Sequence, residues 1–166
     1  FTLTMRIPRF LEEFPDARVV YMVRDPLDVI PSTLSLVTGP LEARFGISKL
    51  PEELRQHWID NVTKGIVDLY RGFYDDWTSG RIPRDKVFIC RFDRLVGDFE
   101  GLMEELLTFL AVEPDAALVQ EIRKTAEIQA SRVSKHKYDL GRFGLDAALI
   151  REQCAFVYDE FLWELK

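Results

Sequence analysis

The sequence predicts a single α/β domain, a parallel sheet flanked by helices with a helix-rich C-terminal half, and three observations carry that expectation. Segments 18–23 and 86–92 carry the continuous apolar runs Val19 to Val23 and Val87 to Cys90 rather than an alternation, the pattern of strands covered on both faces. Between and after them run segments with apolar residues recurring every three or four positions. Strands separated by helices need crossover connections, and crossovers make a parallel sheet. The 166 residues, 47% hydrophobic and 30% charged, suffice for one core. No repeat, low-complexity tract or Pro/Gly-rich linker divides them, so 1–166 reads as one unit.

The elements follow in order. Residues 6–14 form a short amphipathic helix that ends in the turn Phe14-Pro15-Asp16-Ala17, and strand 18–23 comes next. A helix starts at once, because Asp25 is a good N-cap and Pro26 suits the first helical position, where a missing N–H costs nothing. Thr38-Gly39-Pro40 is expected to break it, leaving a loop to Pro51. A long helix is then marked by Leu54, Trp58, Val62, Ile66, Leu69, Phe73 and Trp77, and the second strand runs from Lys86 to Phe92. Phe99, Leu102, Leu106, Phe109 and Leu110 share one face of another helix, and the turn Val112-Glu113-Pro114-Asp115 leads to a helix ending near Ile128. An irregular basic loop over 129–143 precedes a terminal helix with Ile150, Cys154, Val157, Phe161 and Leu165.

The net charge of −6 argues against a nucleic-acid or anionic-membrane surface, so an anionic ligand needs a local basic cluster. The longest apolar run, Val19 to Val23, is far short of the roughly 20 residues of a membrane span. Neither a signal peptide nor an oxidising compartment is indicated, and a cytoplasmic location is expected. Cys90 and Cys154 each sit in an apolar run and read as buried free thiols. Two distant histidines with buried cysteines make no metal site.

Arg24 falls at the carboxyl end of the first strand, where open α/β sheets bind ligands. Ser32 lies about two turns past Asp25, which returns its hydroxyl to the strand-end side of the helix. An arginine fork and a hydroxyl beside the positive end of a helix dipole are ready for a phosphate. The same spacing also fits a plain helix start, with Arg24 an ion-pair partner and Ser32 a small packing residue. Spacing does not separate the two readings.

The run Phe14-Pro15-Asp16-Ala17-Arg18, followed by Val23-Arg24-Asp25-Pro26-Leu27-Asp28-Val29 and Ser32, resembles the segment with which sulfotransferases bind the 3′-phosphate of 3′-phosphoadenosine 5′-phosphosulfate. Phe92-Asp93-Arg94-Leu95-Val96 looks like that family's Tyr-Glu-Asp-Leu block. Ser134-Lys135-His136-Lys137-Tyr138 through Leu145 is similar to the loop before the last helix in its bacterial-type branch. The resemblance implies phosphate-binding roles for Arg24 and Ser32, a place for Phe92 near the adenine without a hydroxyl to donate, and cofactor binding by Lys135. It also implies in-line sulfuryl transfer to a hydroxyl or amine on a small-molecule or carbohydrate acceptor, leaving 3′,5′-ADP.

Neither Gly-x-x-x-x-Gly-Lys-Ser/Thr nor the family's Gly-rich loop with Arg-Ser-Gly occurs, and in family order that loop precedes residue 1. The resemblance therefore implies a partial P-loop NTPase-like sheet that is N-terminally truncated, with the catalytic base upstream and little activity in the fragment alone. Segment 39–50 and the long helix would form part of the acceptor cleft. His57 reads as an exposed helical residue and His136 as a surface one. The rival expectations are a non-catalytic α/β interaction domain and a P-loop small-molecule kinase fragment.

Overall fold

The structure, a computed structural model, describes residues 3–131 and 139–165. Its sheet has two strands among the described residues, β1 (Val19–Val23) and β2 (Val87–Arg91), paired in parallel from Val19↔Val87 to Val23↔Arg91. Helices carry everything else: α1 (Ile7–Glu13), α2 (Pro26–Phe45), α3 (Glu52–Thr78), α4 (Phe92–Gly97), α5 (Phe99–Leu110), α6 (Ala116–Ala130), α7 (Ala147–Gln153) and α8 (Ala155–Glu160). The expected mixture of a small parallel sheet and flanking helices is present.

The core lies on one side of the sheet. Tyr21 stacks on Phe73 of α3 with ring centroids 3.5 Å apart, and Phe73 in turn meets Trp77 and Phe161. On the opposite side α5 lays Phe109 against Phe88, and Arg18 reaches from the strand entrance to the Phe109 carbonyl. That cover stops at β2. Val20 and Met22 remain 47% and 50% exposed, so β1 is buried on one face, contrary to the expectation of cover on both.

Three further expectations are corrected. The helix after β1 does not break at Thr38-Gly39-Pro40. It runs through Pro31 and Pro40 to Phe45 and ends at Gly46, whose φ of 61° is a left-handed cap. An interior proline costs on the order of 3 kcal/mol. Ile30 and Leu34 are fully buried, each contributing about 1.5–3 kcal/mol, which offsets much of the cost of the two prolines. Segment 39–50 is therefore the end of α2 plus a 3₁₀ turn, Ile47–Lys49, rather than a loop.

In α3 the buried stripe is Ile59, Thr63, Ile66, Tyr70, Phe73 and Trp77, while Leu54 is exposed. Expected and observed stripes share Ile66, Phe73 and Trp77, while Tyr70 rather than Leu69 is buried between them and Trp58 and Val62 pack partly buried against the core. The terminal segment is two short helices and a 3₁₀ turn. Phe156, Val157 and Tyr158 are all buried, and successive residues 100° apart cannot share one helical face, so this end of the chain is enclosed on several sides. Cys90 and Cys154 are buried free thiols, as the sequence suggested.

Candidate cofactor site at the carboxyl end of the sheet

The register brings the site together. Because Val23 pairs with Arg91, the next residues, Arg24 and Phe92, emerge side by side at the carboxyl end of the sheet. The Arg24 guanidinium carbon lies 4.3 Å from the centre of the Phe92 ring. Its Nε and Nη2 both donate to Asp28 Oδ2, at 3.3 and 3.1 Å, from one turn along α2. The arginine is partly buried, held by a ring on its face and a carboxylate on its edge.

The backbone beneath it is fixed from far away in sequence. Asp25 caps α2 by accepting a 2.8 Å hydrogen bond from the Leu27 amide, and the same oxygen accepts from the Tyr158 hydroxyl at 2.6 Å. Tyr70 donates its hydroxyl to the Arg24 carbonyl at 2.8 Å. Both phenols titrate well above the usual tyrosine range, chiefly because burial disfavours the phenolate; the bond to Asp25 adds to this at Tyr158. They are permanent donors at neutral pH.

On the other side of Phe92, buried Arg91 donates to both carboxylate oxygens of Asp93 at 3.1 and 2.5 Å and pairs with Glu164 at 2.8 Å. The Arg91 hydrogen bonds hold the Asp93 carboxyl below the usual carboxylate range and raise the guanidinium. The start of α4 is thereby clamped.

Of the expected site residues, Arg24 and Phe92 are in contact, and Ser32 stands half-buried two turns along α2. Lys135 and His136 lie outside the described residues. His57 is exposed and accepts from Asn61 Nδ2 at 3.0 Å, as expected of a surface helical residue. Tyr70, Tyr158 and Asp28 were not singled out from the sequence. The available signal was a tyrosine in an apolar stretch, whose hydroxyl needs a partner once buried.

Two cavities adjoin this framework and a third lies farther along α2. One of about 390 Å³ follows the outer edge of β1 and is lined by Arg24, Val20, Met22, Leu3, Ile66 and Tyr70 among others. A second, of about 620 Å³, follows the outer edge of β2 with Arg84, Arg91 and Arg94 in its wall. The third, of about 750 Å³, lies between the C-terminal half of α2, the start of α3 and the turn Gly141–Phe143. Thr38 lines it, and the Thr38 hydroxyl has no hydrogen-bond partner. Among the described residues no cluster of metal-ligating side chains forms, and no helix is long and apolar enough to cross a membrane.

A parallel strand ending in a braced guanidinium beside the N-terminus of a long helix defines an α/β protein with an anion-ready strand end. The chain belongs to the sulfotransferase family, whose pattern matches residues 2–117. It is similar to the omega-hydroxy-beta-dihydromenaquinone-9 sulfotransferase Stf3 of Mycobacterium bovis and to that of Mycobacterium tuberculosis, 32% identical over 111 residues in each case. These matches cover 67% of this chain, which spans only 27% of the length of those relatives. The crystal structure of sulfotransferase STF9 from Mycobacterium avium shares the fold over 95% of this chain and 39% of its own, with a TM-score of 0.76 and 18% identity.

Proposed function

We propose that the protein transfers a sulfuryl group from 3′-phosphoadenosine 5′-phosphosulfate to an acceptor hydroxyl or amine, with this chain supplying the 3′-phosphate side of the cofactor site. The observation that carries the reading is the Arg24 guanidinium, held at the carboxyl end of β1 by Phe92 and Asp28. Its residues fit the group: a planar cation in a partly buried strand end, next to a helix N-terminus, suits a phosphate dianion. When bound, the cofactor supplies the activated sulfuryl group. Arg24 would bind the 3′-phosphate, with Phe92 against it and Ser32 donating a hydroxyl, and Lys135 is proposed as a further cofactor-binding residue.

In the intact protein the β1–β2 pair would belong to a larger P-loop NTPase-like parallel sheet, with the Gly-rich loop for the 5′ end lying outside these 166 residues. The cavities along both outer strand edges support that reading. The cavity between α2 and α3 is where we place the acceptor. The Stf3 relatives are named for a hydroxylated dihydromenaquinone, which supports a hydroxyl as the acceptor group.

Thermal unfolding of the intact protein with 3′,5′-ADP or ATP tests the assignment. Stabilisation by 3′,5′-ADP and not by ATP is expected. Stabilisation by ATP alone points to a phosphoryl donor, no response to either points to a non-catalytic interaction domain, and each of these outcomes overturns the proposal.

A further inference from the structure

Resting on that reading, we infer that Phe92 is a positioning residue that sets the affinity for the 3′-phosphate through Arg24, by fixing the plane in which the guanidinium meets the ligand. Two contacts act on the guanidinium. Asp28 Oδ2 takes Nε and Nη2 along one edge, at 3.3 and 3.1 Å, which limits rotation within the plane. The guanidinium carbon sits over the Phe92 ring, 4.3 Å from its centre, and this contact holds the group against the ring. Neither constraint alone fixes a planar fork, whose value for phosphate lies in its direction.

The backbone that carries the ring is itself held. Phe92 is the first residue of α4, and its neighbours on both sides are joined by the two-bond Arg91–Asp93 pair. Arg91 is 7% exposed, so the arginine half of this clamp is buried, while Asp93 is partly exposed. The parallel register places Arg24 and Phe92 one step beyond the Val23↔Arg91 pair, and the contact follows from the sheet rather than from a flexible loop.

The test is a binding cycle, by titration calorimetry on the intact protein, with 3′,5′-ADP and 5′-AMP as ligands. The variants are Phe92→Leu, Arg24→Lys, the double variant and Phe92→Tyr. Phe92→Leu should weaken 3′,5′-ADP roughly three- to tenfold, equivalent to about 0.7–1.4 kcal/mol. It should leave 5′-AMP within about twofold and have little further effect once Arg24 is lysine. Phe92→Tyr should restore wild-type affinity, since the ring face is kept.

Equal weakening of both nucleotides, undiminished in the Arg24→Lys background, means that the ring acts on the base directly and overturns the inference. So does wild-type affinity for 3′,5′-ADP in Phe92→Leu. In both of those cases the cofactor assignment stands. Failure of the wild type itself to bind 3′,5′-ADP removes the assignment and the inference together.

Discussion

Replacing Asp25 by alanine removes two interactions that meet on one oxygen. The carboxylate accepts from the Leu27 amide at 2.8 Å as the cap of a 20-residue helix, and from the Tyr158 hydroxyl at 2.6 Å. Loss of an N-cap costs about 1 kcal/mol. Tyr158 is 4% exposed, so its orphaned hydroxyl adds a desolvation cost of about 1–3 kcal/mol. Together these predict a loss of about 2–4 kcal/mol. At about 2–4 °C per kcal/mol for a chain of this size, the midpoint should fall by on the order of 10 °C.

Urea unfolding, with a check that the m-value is unchanged, measures the loss directly. Adding Tyr158→Phe to Asp25→Ala should recover about 1–2 kcal/mol, because removing both partners of a buried bond costs less than leaving one unpaired. Asp25→Asn should cost less than Asp25→Ala, since an asparagine oxygen still caps and still accepts. A destabilisation by Asp25→Ala below about 0.5 kcal/mol, or no recovery in the double variant, would refute this account of how the strand end is held.

Other consequences follow at the ligand and in pH. Arg24→Ala should weaken 3′,5′-ADP roughly ten- to a hundredfold, as a charge-assisted bond contributes about 1.5–3 kcal/mol, and Ser32→Ala roughly two- to tenfold. Equal calorimetric affinities in wild type and both variants would remove these residues from the site. Burial pushes the Cys154 thiol up to about 11 from its ordinary 9.0, and holds Tyr21, Tyr70 and Tyr158 above their ordinary 10.0. As pH rises above about 9 the unfolded chain loses these protons first and the folded chain retains them, so stability must fall between pH 9 and 11. Thermal midpoints that stay flat from pH 8 to 11 would contradict those buried environments.

Much of the fold was legible because its signals are local. Both strands, the cap at Asp25 and the extent of α3 follow from apolar runs and from a side chain able to accept from a nearby amide. The path of α2 through two prolines was not, because it depends on how much Ile30 and Leu34 bury once α3 and α7 are in place. Nor was the cover of β1. A strand of five apolar residues reads the same whether one face or two are packed, and only the reach of α5 distinguishes them. At the site, spacing nominated Arg24 and Ser32, and the resemblance added Phe92, yet the contact between Arg24 and Phe92 needed the register of two strands that lie more than 60 residues apart.

That dependence on distant partners bears on how the site works. Residues 24 and 25 are held by a hydroxyl from α3 46 positions away and another from α8 133 positions away, while the guanidinium leans on the first residue of α4. A strand-to-helix junction left to itself would sample several arginine rotamers and a fraying first turn. Ordering it on binding would cost on the order of 1–2 kcal/mol for the long side chain alone. Here much of the ordering is in place once the chain folds, since two core tyrosines hold the backbone and Asp28 and the Phe92 ring hold the guanidinium. On the proposed reading, a phosphate arriving at the strand end would meet a cation already oriented, and the contact energy would go to affinity rather than to arranging the site.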